Sequence, residues 1–316
     1  MIEFERVTKY FAGQAAVKNL SLTLAEGSFS VLLGTSGSGK STTLKMINRL
    51  VEYDQGDIRF RGTSIRQLDA QVLRRQMGYA IQSTGLFPHW TIEKNIATVP
   101  ALLGWPNARR QARIAELITL LNLDPALLRR YPHQLSGGQQ QRVGVARALA
   151  ANPQVLLMDE PFGALDPVTR GALQAEMTRI HRILGRTIVL VTHDIDEALR
   201  LADHLVLMDH GEVVQQGSPL ELLTWPKNDF VREFFGRSEL GVRLLSLRTV
   251  SDYMRREETS LSGEPLQAQM SLRDALSAFV ARQCEVLPVS DARGTTCGTL
   301  HFRDLLAGEV TREGTA

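Results

Sequence analysis

The sequence is poor in the features that mark several classes of protein. Its 316 residues include two cysteines, Cys284 and Cys297, too few for a disulfide framework, so we expect both to be free thiols. No apolar run approaches the roughly 18 residues that a membrane-spanning helix requires. The 36 Lys and Arg residues nearly balance the 34 Asp and Glu residues, and a net charge of +2 provides no basic field that would attract nucleic acid.

The composition that remains is that of an ordinary globular chain. Hydrophobic residues make up 43% and charged residues 22%, and the length predicts about two domains. The segment 1–6 carries charge too early for a secretion signal. We therefore expect a protein of a reducing compartment, which would act at a membrane only through other chains that cross it.

Lysine usage divides the chain. The last lysine is Lys227, and residues 237–316 contain none, with 10 Arg against 11 Asp and Glu. Residues 257–265 are rich in turn-forming types and predict a loop. We place a domain boundary near 236–240, with one domain over 1–236 and a second over 237–316.

Several short apolar runs in the first domain have the length of buried strands. They cover residues 28–34, 155–158 and 187–191, and a helical pattern follows each of them. Residues 109–121 predict an amphipathic helix. Continuous apolar strands alternating with helices indicate an α/β fold whose mostly parallel sheet is covered on both faces.

A glycine-rich loop follows the first of these runs and fits the pattern G-x-x-x-x-G-K-[ST] without a mismatch. Its residues are Gly34, Thr35, Ser36, Gly37, Ser38, Gly39, Lys40 and Ser41, with Thr42 next in the chain. Glycines let backbone N–H groups close around phosphates, and the helix that follows favours an anion at its start. We expect Lys40 to reach the β- and γ-phosphates of a nucleotide and Ser41 to ligate Mg²⁺.

Two carboxylates follow the apolar run 155–158. Asp159 and Glu160 would lie at the carboxyl edge of the sheet, where open α/β sheets bind ligands. Asp159 is expected to hold Mg²⁺, and Glu160 is expected to act as the general base for an attacking water.

The order of further motifs resembles that of the ABC-type ATPases over residues 1–236. Ser136, Gly137, Gly138 and Gln139 follow Leu135 in a signature-like segment, Gln82 ends a Tyr-Ala-Ile-Gln segment, and Ala-Leu precedes Asp166. His193 follows the strand 187–191. Phe11 lies 23 residues before Gly34, where the family carries an adenine-stacking aromatic, and Tyr10 is its rival.

The resemblance implies roles for these residues. Gln82 would contact Mg²⁺ and take part in catalysis, while His193 would contact the γ-phosphate and help to hold the attacking water. The signature would act on the ATP of a second copy in a head-to-tail homodimer, and Asp166 would belong to the D-loop. A helical subdomain would cover about 88–150.

A single ATPase unit with neither a long coiled-coil insertion nor a fused membrane domain is similar to the separate subunits of multi-chain transporters. The implied partners are integral membrane permease subunits and, through them, an extracytoplasmic solute-binding protein. Residues 83–90 would border the groove that receives a cytoplasmic helix of the permease. The subunit would then lie peripherally at the cytoplasmic face of the cell membrane.

The second domain resembles one CBS module over residues 249–306, a small α+β unit. Ser271 is expected to cap a helix, and residues 285–291 predict a strand and a turn. His301 stands where nucleotide-binding modules carry Ser or Thr, although Asp304 fits a position that often contacts ribose. A generic α/β tail for dimerisation is the alternative; a single module per chain suggests pairing across the dimer.

ABC ATPases with such modules resemble importers of glycine betaine, choline and other quaternary amines. We therefore expect an ATPase that energises uptake of a compatible solute. Import of another small solute, such as an amino acid, is one alternative. A regulatory scaffold that ATP switches without a permease is another.

Overall fold

The computed structural model describes residues 1–81, 85–256 and 263–305. The chain divides into two compact units, Met1–Ser218 and Pro219–Ala316. In the part of the chain that is described, no helix is long and apolar enough to cross a bilayer.

A six-stranded sheet forms the centre of the first unit. Its strands are β3 (Phe29–Gly34), β6 (Met77–Ile81), β7 (Val155–Asp159), β8 (Thr187–Thr192), β9 (His204–Asp209) and β10 (Glu212–Gly217). Their order is β10-β9-β3-β8-β7-β6, with all neighbours parallel except the antiparallel pair β9 and β10. The parallel sheet expected from the apolar runs is confirmed, and its order brings the carboxyl ends of β3, β8 and β7 side by side.

A second, antiparallel sheet was not anticipated from the sequence. It contains β1 (Ile2–Phe11), β2 (Gln14–Leu24), β4 (Gln55–Phe60) and β5 (Thr63–Ser64) in the order β2-β1-β4-β5. Helix α1 (Lys40–Ile47) contributes Leu44 to one hydrophobic core with residues of both sheets, among them Phe4, Leu22 and Val189. The phosphate loop therefore leads into a helix that is buried between two sheets.

The remaining helices of the first unit lie between its strands in the sequence. They are α2 (Ala70–Arg75), α3 (Ile92–Leu102), α4 (Asn107–Leu120), α5 (Gly137–Leu149), α6 (Pro167–Leu184) and α7 (Ile195–Leu201), with 3₁₀ turns at Pro125–Arg129 and Pro132–Gln134. Helices α3, α4 and α5 lie between β6 and β7 in the sequence, and they pack against one another. They lie within the range expected for a helical subdomain, and α4 includes all but the last residue of the amphipathic helix predicted over 109–121.

The second unit has its own small core. Its elements are α8 (Pro219–Thr224), α9 (Asp229–Phe234), α10 (Leu240–Leu247), α11 (Val250–Tyr253), β11 (Leu266–Gln267), α12 (Leu272–Arg282), β12 (Val286–Ser290), β13 (Thr296–His301) and a 3₁₀ turn, Phe302–Leu305. The sheet order is β11-β12-β13, with β11 parallel and β13 antiparallel to β12. Ser271 caps α12 as expected, because its hydroxyl accepts the N–H of Asp274 at 3.1 Å.

The division at Ser218 precedes the boundary that we expect from the sequence. Helices α8 and α9, which the sequence interpretation assigns to the ATPase domain, belong to the second compact unit because they pack with α10 around a cavity that Leu222, Val231, Phe235 and Leu240 help to line. The functional limits 1–236 and 237–316 stay a prediction. The loop expected at 257–265 lies mostly outside the described residues.

Candidate functional site

The glycine-rich loop connects β3 to α1 and leaves no room for side chains at two of its positions. Gly34 has φ 153°, and a Cβ there would collide with the carbonyl oxygen of Met208. Gly39 precedes α1 with φ 95°, and a Cβ there would collide with the carbonyl oxygen of Ala16. Because Gly39 offers no side-chain cap, the first N–H groups of α1 stay available to an anion.

The Lys40 ammonium lies inside this loop. Its Nζ donates to the carbonyl oxygens of Gly34 at 2.9 Å and Thr35 at 2.7 Å, and to the hydroxyl of Ser38 at 3.2 Å. Burial lowers the pKa of Lys40, while the negative charges of Glu160 and Asp159 act in the opposite direction. A positive charge is thus held where the loop would wrap a phosphate.

The loop is held from outside by a residue that the sequence reasoning missed. The hydroxyl of Thr35 donates to Asp209 at 2.7 Å. Asp209 ends β9, which is parallel to β3. A sequence signal existed, since residues 205–208 are a further short apolar run followed by a carboxylate.

Ser41 and Asp159 come together at the carboxyl edge of the sheet. The Ser41 hydroxyl donates to Oδ1 of Asp159 at 2.7 Å, and Nζ of Lys45 lies 3.7 Å from Oδ2. The partly buried Tyr79 side chain from β6 faces the same carboxylate, so that burial first and the charge of Asp159 second raise the pKa of its phenol. The predicted hydroxyl and carboxylate ligands therefore share one small volume.

Glu160, which follows β7, and His193, which follows β8, are in contact at the same edge of the sheet. Nδ1 of His193 lies 3.3 Å from Oε1 of Glu160. Glu160 has a left-handed backbone with φ 47°, and its N–H donates to the carbonyl of Val191 on β8 at 3.0 Å. This backbone bond ties the residue after β7 to β8, which directs the carboxylate towards the loop that carries His193.

The signature segment forms the start of α5. The helix begins at Gly137, with Ser136 as its cap. Ser136 Oγ accepts the N–H of Gln139 at 3.3 Å, and the Gln139 side chain accepts the N–H of Ser136 at 2.9 Å. Ser136 and Gly137 are exposed, so this capped helix start lies at the surface.

Asp166 caps α6 next to this segment. Its Oδ1 accepts the N–H groups of Val168 at 3.1 Å and Thr169 at 3.0 Å. Hydrogen bonding with Thr169 lowers the pKa of the Asp166 carboxyl. A Cβ at Gly138 would collide with the Thr169 methyl group, so the signature and the first turn of α6 are in direct contact.

Two further expectations have different outcomes. Phe11 and Tyr10 at the end of β1 are 48% and 42% exposed, so both rings remain candidates for stacking on a base. Lys9 Nζ lies 5.2 Å from the centre of the Phe11 ring. Gln82 lies outside the described residues; the residue before it, Ile81, pairs with Asp159.

Similarity to known proteins agrees with these motifs. The ABC transporter family model matches residues 17–163. The glycine betaine uptake system ATP-binding protein YehX of Escherichia coli (strain K12) is 74% identical over 306 residues, which cover 97% of this chain and 99% of that protein. The chain belongs to the ABC transporter ATPases.

Two more similarities concern this ABC ATPase. The glycine betaine/carnitine/choline transport ATP-binding protein OpuCA of Bacillus subtilis (strain 168) is 46% identical, over 94% of this chain and 77% of that protein. A dimeric post-hydrolysis structure of the ATP-binding cassette MJ0796, bound to ADP and Pi, has a TM-score of 0.63 and 33% identity over 69% of this chain and 99% of that one. The resemblance and the α/β ATPase fold inferred from the motifs are confirmed, while the CBS-like character of the second unit stays a prediction.

Sequence reasoning also missed a buried acid beside the site of this ABC ATPase. Glu197 on α7 is 5% exposed, and its Oε1 has no hydrogen-bond partner among the described residues. Burial, the charge of Asp194 and that of Glu160 raise the pKa of Glu197 from 4.5 to about 8, although Arg170 acts against them. No sequence pattern separates this glutamate from the exposed acid beside it, Asp196.

Glu197→Gln is expected to change how stability depends on pH. Between pH 4.5 and about 8 the folded protein keeps a proton on Glu197 that the unfolded chain releases, so the free energy of unfolding falls as pH rises, by up to about 1.4 kcal/mol per pH unit. The variant has no carboxyl group at this position and lacks this fall. In urea unfolding, the free energy of unfolding of the variant should therefore rise relative to that of the wild type from pH 5 to pH 8. Asp196→Asn, on the exposed side of the same helix, is the control. Parallel wild-type and Glu197→Gln curves would contradict a raised pKa.

Proposed function

We propose that this chain is the ATP-hydrolysing subunit of a multi-chain importer that takes up a compatible solute such as glycine betaine or another quaternary amine. The observation that carries the proposal is the 74% identity to a glycine betaine uptake ATP-binding protein over 97% of this chain. This match extends beyond the ATPase core into the second unit. It therefore supports a shared transport system as well as shared ATP chemistry.

ATP would bind with its phosphates in the loop from Gly34 to Ser41, against Lys40 and the first turn of α1, which includes Thr42. The adenine would stack on Phe11. Mg²⁺ is expected next to Ser41 and Asp159, with Gln82 as a further ligand. A hydroxyl and a carboxylate 2.7 Å apart suit this ion, which prefers oxygen ligands and is usually held by one or two carboxylates together with substrate phosphates.

Glu160 would accept a proton from the attacking water, and His193 would hold the γ-phosphate beside it. The 3.3 Å contact between the two side chains supports a shared place at the reacting group. Lys40 and Mg²⁺ would neutralise charge as it develops on the phosphates.

The exposed signature would complete the ATP site of a second copy. Ser136, Gly137, Gly138 and Gln139 form a helix start that presents N–H groups outward, while the same chain's phosphate loop already has its own helix start in α1. Two head-to-tail copies would enclose two ATP molecules, with Asp166 near the interface. Hydrolysis would remove the bridging phosphate and let the copies separate.

An apolar cavity of about 500 Å³ on the helical subdomain is suited to a permease helix. Phe87, Trp90, Ala101 and Leu102 line its apolar part, and Lys94 and Arg110 are the charged residues that line it. Occupation of this cavity would place the subunit peripherally at the cytoplasmic face of the membrane. An extracytoplasmic binding protein would deliver the solute through the permease.

Arg147 connects this cavity with the signature helix. It lies on α5, donates to the carbonyl of Gly85 at 2.6 Å and approaches the ring centre of Phe87 to 6.0 Å. A displacement of the permease-facing segment would therefore be transmitted to the helix that starts at the signature.

The second unit would have a regulatory role and would pair with that of the other copy. Asp304 is in the position expected to contact ribose. Its carboxylate accepts hydrogen bonds from both Nε and Nη2 of Arg255, each at 2.8 Å. This hydrogen bonding lowers the pKa of Asp304. A nucleotide that used Asp304 would have to displace Arg255, which argues against nucleotide binding at this position.

Glu160→Gln is expected to abolish turnover and to retain ATP binding. Loss of a general base costs about 100-fold or more in rate, while the phosphate contacts of Lys40 and α1 are unaffected. We expect a dimer that ATP stabilises and that light scattering detects. Lys40→Ala, which weakens binding and hydrolysis together, is the control that should stay monomeric with ATP. Wild-type turnover in Glu160→Gln would contradict the role of Glu160.

Transport of labelled solutes tests the substrate class. Expression of this chain in a strain that lacks its gene should restore uptake of radiolabelled glycine betaine, and expression of the Lys40→Ala variant should not. Restored uptake of an amino acid without betaine uptake would assign the chain to another importer. Unchanged uptake of both solutes would favour a regulator that works without a permease.

A further inference from the structure

Two loops of the ATP site run side by side, and each leads from a strand into a helix. Residues 160–166 connect β7 to α6, and residues 193–194 connect β8 to α7. At the start of the first loop, Glu160 contacts His193 at 3.3 Å. Asp166 lies at the far end of the first loop.

Arg170 makes a second connection between the two loops. It lies in the first turn of α6, and its Nη2 donates to the carbonyl oxygen of Leu165 at 3.1 Å. Its Nη1 donates to Oδ2 of Asp194 at 3.3 Å. One guanidinium group thus joins the residue before Asp166 to the residue after His193.

Asp194 is a firm anchor for this contact. Its Oδ1 accepts the N–H of Glu197 at 3.0 Å and so caps α7. Its own N–H donates to the hydroxyl of Thr192, the last residue of β8, at 3.0 Å. Asp194 is therefore held by both the strand and the helix, and a shift of Arg170 would move the loop at Leu165 and leave Asp194 in place.

We propose that Arg170 is a positioning residue for ATP hydrolysis, which closes a ring of contacts from Glu160 through His193, Asp194 and Arg170 to Leu165. The ring sets the separation of Glu160, His193 and Asp166 before ATP arrives. This inference rests on the proposed roles of Glu160 and His193. A guanidinium suits the task because its planar fork donates to two acceptors in fixed directions, whereas an ammonium makes a less directional contact.

A merely structural ion pair would behave differently. The side chains of Arg170 and Asp194 are 31% and 32% exposed, and ion pairs at this exposure contribute little to folding stability. Loss of Arg170 should therefore leave the melting temperature nearly unchanged. Its effect should lie in kcat, since small misplacements of reacting groups are costly in rate, and leave the KM for ATP close to that of the wild type.

The test compares Arg170→Gln and Arg170→Lys with Arg182→Gln, a control at an exposed arginine of the same helix. We expect Arg170→Gln to lower kcat about tenfold or more, with the KM for ATP and the melting temperature close to those of the wild type. Arg170→Lys should recover part of the rate, and Arg182→Gln should match the wild type. A wild-type kcat in Arg170→Gln, or a fall in kcat that follows a lowered melting temperature, would overturn the proposal.

A double-mutant cycle with Asp194→Asn tests the route. Asparagine keeps an Oδ1 that can cap α7 but removes the charge that faces Arg170. If the two residues act through each other, the double variant should be no slower than the slower single variant. Multiplied losses would show that Arg170 acts independently of Asp194 and would overturn the ring. Glu160→Gln is measured in parallel to distinguish failure of the ring from failure of the proposed function. Retained turnover in Glu160→Gln would contradict the proposed function, whatever the result for Arg170.

Discussion

A chain can surround a phosphate group only where backbone N–H groups are free and no side chain intrudes, and the junction of β3 and α1 meets this requirement. Gly34 and Gly39 stand where any Cβ would strike a carbonyl oxygen, so the loop keeps its shape only with glycine there. Lys40 then occupies the enclosed space, with three oxygen atoms of its own loop around its ammonium. The other parts of the site are placed relative to this junction, because β8 and then β7 follow β3 in the sheet.

The electrostatics of the site follow from that arrangement. Parallel strands end at the same edge, which brings the carboxylates of Asp159 and Glu160 near the Lys40 charge. Lys45 and Arg170 provide further positive charge at Asp159 and Asp194. Burial first, and the negative charge of Asp194 second, raise the pKa of Glu197 to about 8. The order of the strands thus determines which positively and negatively charged side chains lie together at this edge, where a nucleotide would add further negative charge.

Much of the site could be predicted because its chemistry depends on local segments. The phosphate loop, the acidic end of β7 and the cap at Ser136 are each encoded within a few residues, and their order along the chain identified the family. The antiparallel sheet was missed: the pairing of β1 with β2 and β4 is interrupted by register shifts, and such irregular strands give a weak alternating pattern. The compact division at Ser218 depends on packing around α8, α9 and α10, a tertiary property that local sequence does not encode.

Several long-range contacts of arginine side chains could not be inferred from spacing. Arg170 and Asp194 are 24 residues apart, and Arg147 reaches a carbonyl 62 residues away. Nothing in the sequence near Arg255 indicates that it pairs with Asp304. Such contacts depend on the fold. Each involves an arginine that the sequence alone does not distinguish from an ordinary surface arginine.

The most direct test of the account mixes two inactive variants. Ser136→Arg blocks the signature and Lys40→Ala disables the phosphate loop, so a mixed dimer contains one intact site only if each site combines the loop of one copy with the signature of the other. The ATPase rate, measured as the proportion of the two variants changes at constant total protein, should be near zero for each variant alone and highest at equal amounts. A straight line between the two end points, or wild-type hydrolysis by Ser136→Arg alone, would contradict the composite site.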